Sequence, residues 1–312
     1  MPVLIEAMRP LWRSLVKHPA AGVRDRLERL RFRSVFGALG TERQANQVIL
    51  HALQAGHPFA AARIGHTEGR IVGEWQFNNS RYGRLTRKEA HQYSGIFPVQ
   101  PDLLNRFAEI YADAIANVDL LGFWQTAFQA QIIKALPCPP RLAPLRALEP
   151  YLQPQPWSSA LAGKRVLVVH PFAATIERQY HENRQRLFHD PLLLPAFDLI
   201  TVAPPQTLAP ATAGFGDWQA AYEHLLAQVS SHHFDCALIG CGGYGLPLAA
   251  AVKAMGKQAI HLGGALQLLF GIRGRRWDAD PQFAQLFNAS WVRASDLETP
   301  VAAQAVDGGC YW

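Results

Sequence analysis

A histidine and a glutamate lie two residues apart in the segment AARIGHTEGR, residues 61–70. His66 and Glu68 follow an apolar run and are enclosed by Gly65 and Gly69, as on a tight turn after a strand. An imidazole and a carboxylate held there could form a reactive pair, with either group moving a proton. The alternative is an ordinary helix start with a charged face, and these ten residues leave both interpretations open.

The segment IGCGGYG contains a second motif that could do chemistry. Gly240, Gly242 and Gly245 fit the pattern G-x-G-x-x-G, with Gly243 inside it, between a predicted strand and a predicted helix. In that context, backbone N–H groups and a helix N-terminus can approach a phosphate closely. Tyr244 could stack on a flat ligand such as a base, or it could cover the turn. The motif favours a phosphate-binding loop, and a tight turn without a ligand is the alternative.

Glycine and arginine are concentrated in the segment GGALQLLFGIRGRRW, residues 263–277. Gly263 and Gly264 open a short apolar helix, and further glycines bracket Arg273. Guanidinium groups are charged, bidentate donors, so the cluster suits a pyrophosphate. A solvated surface loop would have the same composition.

His170 and Thr175 are the other candidates for ligand contact. The strand VLVVH ends on His170, and Thr175 lies at the start of the next helix. In parallel α/β sheets, ligands bind beyond the carboxyl ends of the strands, which is where both residues are expected. A structural role is the alternative for a lone histidine.

Apolar segments typical of strands alternate with amphipathic segments typical of helices. Thr41 with Gln44 predicts the start of a helix over 41–55, and Gly56 predicts its end. Continuous apolar strands between such helices predict an α/β, Rossmann-like fold: a mostly parallel sheet with helices on both faces. The predicted strands are 58–65, 118–124, 164–170, 197–205, 235–241 and 258–264.

The chain is expected to contain four regions. They are a basic helical arm (1–40), an α/β half with the His66–Glu68 pair (41–136), a proline-rich connection (137–160) and a Rossmann-like half (161–312). Residues 1–33 hold eight Arg or Lys against three acidic residues, with apolar residues at helical spacing. Such an arm either contacts an anionic membrane surface or packs on the body with a solvated basic face.

Composition excludes several classes of protein. Hydrophobic residues make up 49% and charged residues 17% of the chain, which is typical of a globular protein. The sequence has neither a signal-peptide pattern nor an apolar run of the ~18 residues that a spanning helix needs, so we expect a cytoplasmic protein. Its four cysteines form no CxxC pair, which argues against structural zinc.

Nucleic acid is not an expected partner, because the sequence has no segment in which aromatic and basic residues alternate. NAD is not expected either, because no acidic residue lies about 20 residues after Gly240.

Two parts of the chain, 57–95 and 164–277, resemble the bacterial GT-D-fold glycosyltransferases. In the second part, FDCALIGCGGYGLPLAAAVKAMGKQAIHLGG has the family's order of a strand, a glycine turn, a helix ending near glycine and a strand closing on glycine. In the first part, the family has a strand ending in Arg, then an apolar residue and Gly-Asp-Gly-Glu. This chain has RIGHTE, residues 63–68, so His66 replaces the aspartate and Thr67 a glycine.

The resemblance implies a glycosyltransferase with a nucleotide-sugar donor, expected to be a UDP-sugar, and a glycan acceptor in surface polysaccharide or glycan assembly. In the family, the acidic pair is associated with a metal and the donor diphosphate. His66 and Glu68 could hold Mn²⁺, which accepts imidazole nitrogen, whereas Mg²⁺ prefers oxygen throughout. Without a metal, Arg63 and the arginines at 273–276 would neutralise the leaving diphosphate, and Glu68 would act as base for an acceptor hydroxyl.

Glu68 and His66 are therefore the expected catalytic residues. The expected donor-binding residues are Arg63, Gly65, His170, Thr175, Gly240, Gly242, Gly243, Tyr244, Gly245, Gly263, Gly264 and Arg273. A non-catalytic nucleotide- or glycan-binding module that has lost the metal carboxylate is the alternative function.

Overall fold

The computed structural model describes residues 30–124, 126–300, 303–305 and 309–312. Most of the arm predicted for residues 1–40 lies outside these ranges.

Seven strands in the described part of the chain form one sheet, in the order β3-β2-β1-β7-β6-β4-β5. All neighbouring pairs are parallel. The predicted α/β, Rossmann-like fold is confirmed. The strands are β1 (Phe59–Arg63), β2 (Leu120–Phe123), β3 (Arg141–Pro144), β4 (Arg165–Val169), β5 (Asp198–Val202), β6 (Cys236–Ile239) and β7 (Gln258–His261). A separate parallel pair contains β8 (Ile272–Arg273) and β9 (Val292–Arg293).

Helices connect the strands and cover both faces of the sheet. In the described residues, no helix is both long enough and apolar enough to cross a membrane. The helices are α1 (Arg33–Gly37), α2 (Glu42–Ala55), α3 (His66–Phe77), α4 (Arg84–Ser94), α5 (Pro101–Asn117), α6 (Gln129–Ala135), α7 (Ala173–Leu187), α8 (Trp218–Ser230), α9 (Gly245–Ala254), α10 (Leu266–Leu269), α11 (Arg275–Asp278) and α12 (Pro281–Ala284).

Helix α2 begins and ends at the residues that the sequence predicts. The Thr41 hydroxyl accepts the Gln44 N–H at 3.2 Å, and the Gln44 side chain accepts the Thr41 N–H at 2.9 Å. Gly56 ends the helix in the left-handed conformation, with φ of 73°. Reciprocal capping satisfies two N–H groups that the first turn would otherwise leave without a partner.

The alternating side chains of β1 pack into two hydrophobic cores, one on each face of the sheet. Ala60 and Ala62 join the core formed with α3, α5, α8 and α9, whereas Ala61 joins the core formed with α2, α7 and α10. All three alanines are fully buried. Chain segments that leave neighbouring strands for opposite faces open a crevice at the carboxyl edge of the sheet.

The proline-rich residues 137–160 are ordered and connect the edge of the sheet to β4. They contain β3 and 3₁₀ turns at Leu145–Leu148, Pro150–Leu152 and Trp157–Leu161. Strand β3 was not predicted, because it ends on Pro144 and follows Pro139 and Pro140. Proline is unfavourable in a central strand but tolerated at an edge. On its outer side, the Gly40 N–H donates to the Leu142 carbonyl at 2.9 Å.

Helix α3 packs closely on the turn before α6. A Cβ atom on Gly73 would lie 2.5 Å from Cδ2 of Phe128. Gly73→Ala should therefore lower the free energy of unfolding by about 1–3 kcal/mol, as overpacking does in cores. Urea denaturation would measure this, with Gly216→Ala as the control because no atom lies within 4 Å of its added Cβ. Equal stability of the two variants would contradict the packing described here.

Candidate functional site

A cavity of about 430 Å³ lies at the carboxyl edge of the sheet. Its lining includes residues that follow β1, β4, β6 and β7. After β1 the chain passes to one face of the sheet, and after β7 it passes to the other face. This is the position at which doubly wound sheets bind ligands. Residues after β2 and β5, residues of α4, Tyr111 of α5, and the described residues Tyr311 and Trp312 also contribute to the lining.

Most of the predicted site residues meet at this cavity. Its lining includes Arg63, Gly65, His66, Glu68, His170, Gly240, Gly242, Tyr244, Gly263 and Gly264.

Thr175 and Arg273 do not line the cavity, because each is engaged elsewhere. The Thr175 N–H and hydroxyl donate to the Glu298 carboxylate, which also accepts the Ala174 N–H at 2.8 Å. Arg273 forms an ion pair with Asp278 at 3.1 Å. A carboxylate of the chain itself thus occupies the N-terminus of α7.

The glycines of the G-x-G-x-x-G turn have different neighbours. Gly240 and Gly242 line the cavity, whereas a Cβ on Gly243 would lie 2.9 Å from the Ser94 carbonyl oxygen. A Cβ on Gly245 would lie 2.5 Å from Cδ2 of His261. Gly243 and Gly245 therefore permit close packing behind the cavity wall.

Tyr244 packs against residues outside the glycine turn. Its ring stacks on Trp218 at 5.4 Å with an interplanar angle of 4°, and its hydroxyl lies 2.7 Å from that of Thr207. The side chain is buried, although the residue contributes to the cavity lining. One face of the ring is therefore occupied by Trp218.

Glu68 is a buried carboxylate at the start of α3. Its side chain folds back toward Gly65, so a Cβ on Gly65 would lie 2.5 Å from Cδ of Glu68. Burial raises the pKa of Glu68, opposed by hydrogen bonds from its own backbone and from Ser94 and by the charge of Arg63. A carboxyl group with a raised pKa beside a cavity is suited to proton transfer.

His66 is exposed and belongs to a different set of contacts. Its Nε2 atom lies 2.6 Å from the Arg70 guanidinium, which also forms an ion pair with Glu89 at 2.8 Å. The His66 ring also lies 6.3 Å from Trp124. Side chains two positions apart on a helix do not face each other, so His66 and Glu68 are not a directly opposed pair, although both line the cavity.

The arrangement of His66 and Glu68 does not fit a divalent cation. Nε2 of His66 faces the positive Arg70 guanidinium, and the Glu68 carboxylate is engaged by its own backbone and Ser94. Within the described ranges, no group of three or more His, Cys, Asp or Glu side chains could hold a metal. Positive charge at the cavity comes instead from arginines.

Two guanidinium groups, from Arg63 and Arg276, line the cavity. Arg63 lies 4.7 Å from the Trp124 ring, and the Trp124 indole N–H donates to the Ile64 carbonyl at 2.8 Å. Arg276 donates to the Tyr311 hydroxyl at 2.7 Å. Packing against aromatic rings orients both cations, as a binding site for an anionic group requires.

Two buried histidines that line the same cavity are neutral at physiological pH. Burial lowers the pKa of His170 to about 3, and burial with the charge of Arg63 lowers that of His261 to about 3. Nδ1 of His170 accepts the Phe172 N–H at 3.0 Å, which places the ring proton on Nε2. His170 can therefore offer a hydrogen bond without adding charge.

Three buried polar atoms of cavity-lining residues have no hydrogen-bond partner among the described residues: His261 Nδ1, Gln267 Oε1 and Trp312 Nε1. Buried polar atoms are nearly always satisfied by protein or water. These three atoms are buried beneath the cavity surface, so they are exceptions to this rule within the wall itself.

Several of these residues were not predicted from the sequence. Arg276 was named only within a run of arginines, and nothing marked Trp124, Gln267 or Trp312 as site residues. His261 was not marked as a strand end, because the predicted strand continued to residue 264, whereas β7 ends at His261.

Comparisons with known proteins give one structural similarity. No protein-family model matches the chain, and the search of curated proteins found no match. A solved structure of a new glycosyltransferase (DUF1792) from Streptococcus sanguinis aligns over 83% of this chain and 96% of its own, with 12% identity and a TM-score of 0.42. A similarity of this size does not assign an activity to the chain.

Proposed function

We propose that this protein is a glycosyltransferase with a nucleotide-sugar donor, most suitably a UDP-sugar, and a glycan acceptor. The supporting observation is one cavity that combines two oriented guanidinium groups with a buried carboxyl group of raised pKa. Its volume of about 430 Å³ is that of a small-molecule site. The resemblance of residues 63–68 to the GT-D element supports the same reaction.

In this proposal, Arg63 and Arg276 bind the donor diphosphate. The acceptor oxygen attacks the anomeric carbon while the bond from that carbon to the diphosphate oxygen breaks. The diphosphate leaves with the bonding electrons, and the guanidinium groups stabilise its negative charge. Glu68 takes the proton from the acceptor hydroxyl.

Arg276→Gln should weaken the binding of UDP by about 10- to 100-fold, because a hydrogen bond to a charged group contributes about 1.5–3 kcal/mol. Isothermal titration calorimetry with UDP and other nucleoside diphosphates would measure the change. The matched control is Arg273→Gln, three residues away and outside the cavity, which should bind UDP like the wild type. Absence of binding of any nucleoside diphosphate to the wild type would disprove the proposal.

A binding module without turnover is the second candidate. It is favoured by His66, which contacts Arg70 at the position where the family has a metal-associated carboxylate. Nucleotide-sugar binding without transfer to any glycan acceptor would support it.

A further inference from the structure

One side of helix α4 and the loop before it carries four exposed cations: Arg81, Arg84, Arg87 and Lys88. Arg84, Arg87 and Lys88 are spaced i, i+3 and i+4, so they project from the same side of the helix. The opposite side buries Thr86, Ala90 and Ser94 against the body of the protein. We call the four cations, together with Leu85, the basic face of α4.

No carboxylate among the described residues neutralises the charges of this face. Across the described ranges, none of the four cations forms an ion pair with a carboxylate. The acidic groups that pack against α4 are engaged by other partners. Glu74 accepts the Gly83 N–H at 3.0 Å and the Thr86 hydroxyl at 2.8 Å, and Glu89 pairs with Arg70.

An apolar side chain is exposed among these cations. Leu85 lies between Arg84 and Arg87 in the chain and is 57% exposed. Cations with apolar side chains between them suit the headgroup region of a bilayer, where the charges meet anionic lipids and the apolar groups meet acyl chains.

We propose that the basic face of α4 binds an anionic membrane surface. Leu85 favours a bilayer over a nucleic acid, because a leucine side chain gains little from phosphates or stacked bases. The other end of the same helix lines the cavity with Tyr93 and Ser94. Glu89, the neighbour of Lys88 in the chain, also lines the cavity, so the basic face adjoins it. Membrane binding by this face does not require the sugar transfer proposed for the cavity.

Vesicle co-sedimentation of the full chain tests this proposal. The wild type should bind phosphatidylcholine vesicles that contain phosphatidylglycerol and should not bind phosphatidylcholine alone. Arg84→Gln with Arg87→Gln and Lys88→Gln should weaken binding by about 100-fold, because each cation near an anionic surface contributes about 1 kcal/mol.

A matched triple variant removes three exposed cations elsewhere: Arg43→Gln, Arg106→Gln and Arg178→Gln. It has the same net charge and should bind within a few-fold of the wild type. Leu85→Ser should weaken vesicle binding with no change in charge. The proposal would be overturned if the two triple variants lost vesicle binding equally. It would also be overturned if the α4 variant bound vesicles as well as the wild type, since another segment, such as residues 1–33, would then be responsible. Stronger binding of the wild type to single-stranded RNA than to vesicles, lost in the α4 variant, would overturn it in favour of a nucleic-acid surface.

Discussion

Glu68→Gln should lower the rate of sugar transfer by about 10²- to 10⁴-fold, the usual contribution of a general base. Glutamine has nearly the same shape and keeps an oxygen for the Ser94 hydrogen bond, but it does not take a proton from an acceptor hydroxyl. UDP binding should stay within a few-fold of the wild type, because Arg63 and Arg276 are unchanged. UDP release in the presence of acceptor glycans measures the rate, and calorimetry measures the binding.

Glu89→Gln is the matched control, since Glu89 is the other carboxylate that lines the cavity. It is paired with Arg70, so its loss should affect the rate far less. A base acts in its ionised form, and the pKa of Glu68 is raised. The wild-type rate should therefore rise with pH through the pKa of Glu68, and the rise should be absent in Glu68→Gln. An equal loss in both variants would contradict the assigned role.

Acidification should destabilise the folded chain through His170 and His261. Each has a folded pKa of about 3 against an ordinary value of 6.5. Below pH 6.5 the unfolded state therefore binds protons that the folded state excludes. Each histidine should lower the free energy of unfolding by about 1.4 kcal/mol per pH unit as the pH falls from 6.5 toward 3. Urea denaturation at a series of pH values measures the slope.

Glu149 acts in the opposite direction over part of this range. Burial raises its pKa from 4.5 to about 7, so protonation stabilises the folded state as the pH falls from about 7 to 4.5. The net slope should therefore be shallow above pH 4.5 and steep below it. His170→Asn keeps an acceptor for the Phe172 N–H. It should remove about half of the decrease in the free energy of unfolding that these two histidines cause below pH 4.5. An imidazole signal of His170 that titrates near pH 6.5 by NMR would contradict this assignment.

The regular elements could be predicted from the sequence because local rules specify them. The apolar runs of β1, β4 and β6 and the capping residues of α2 depend on neighbours within a few positions. Strand β3 could not be predicted in the same way, because its edge position is a property of the whole sheet.

The candidate site was predictable only in part. Loops at the carboxyl ends of parallel strands converge for topological reasons, which is why Arg63, Glu68 and His170 meet at one cavity. The choice of Arg276 over Arg273 depends on where α11 begins, and the sequence does not define that point. The contact of His66 with Arg70 is an i, i+4 pair within α3, so it follows from the helix alone, whereas that of Tyr244 with Trp218 depends on packing between distant segments.

The three alanines of β1 have a consequence for how the protein could vary. The strand that carries Arg63, Gly65 and Glu68 at its end lies between two helical layers, and its three central residues have only methyl groups to contact them. A larger side chain at any of these positions would push a layer outward and move the strand end with it. Changes in the interior of β1 would therefore alter activity as well as stability, although they lie away from any bound ligand. Substitutions in this strand should therefore be tolerated only where they leave the position of its end, and with it the shape of the cavity, unchanged.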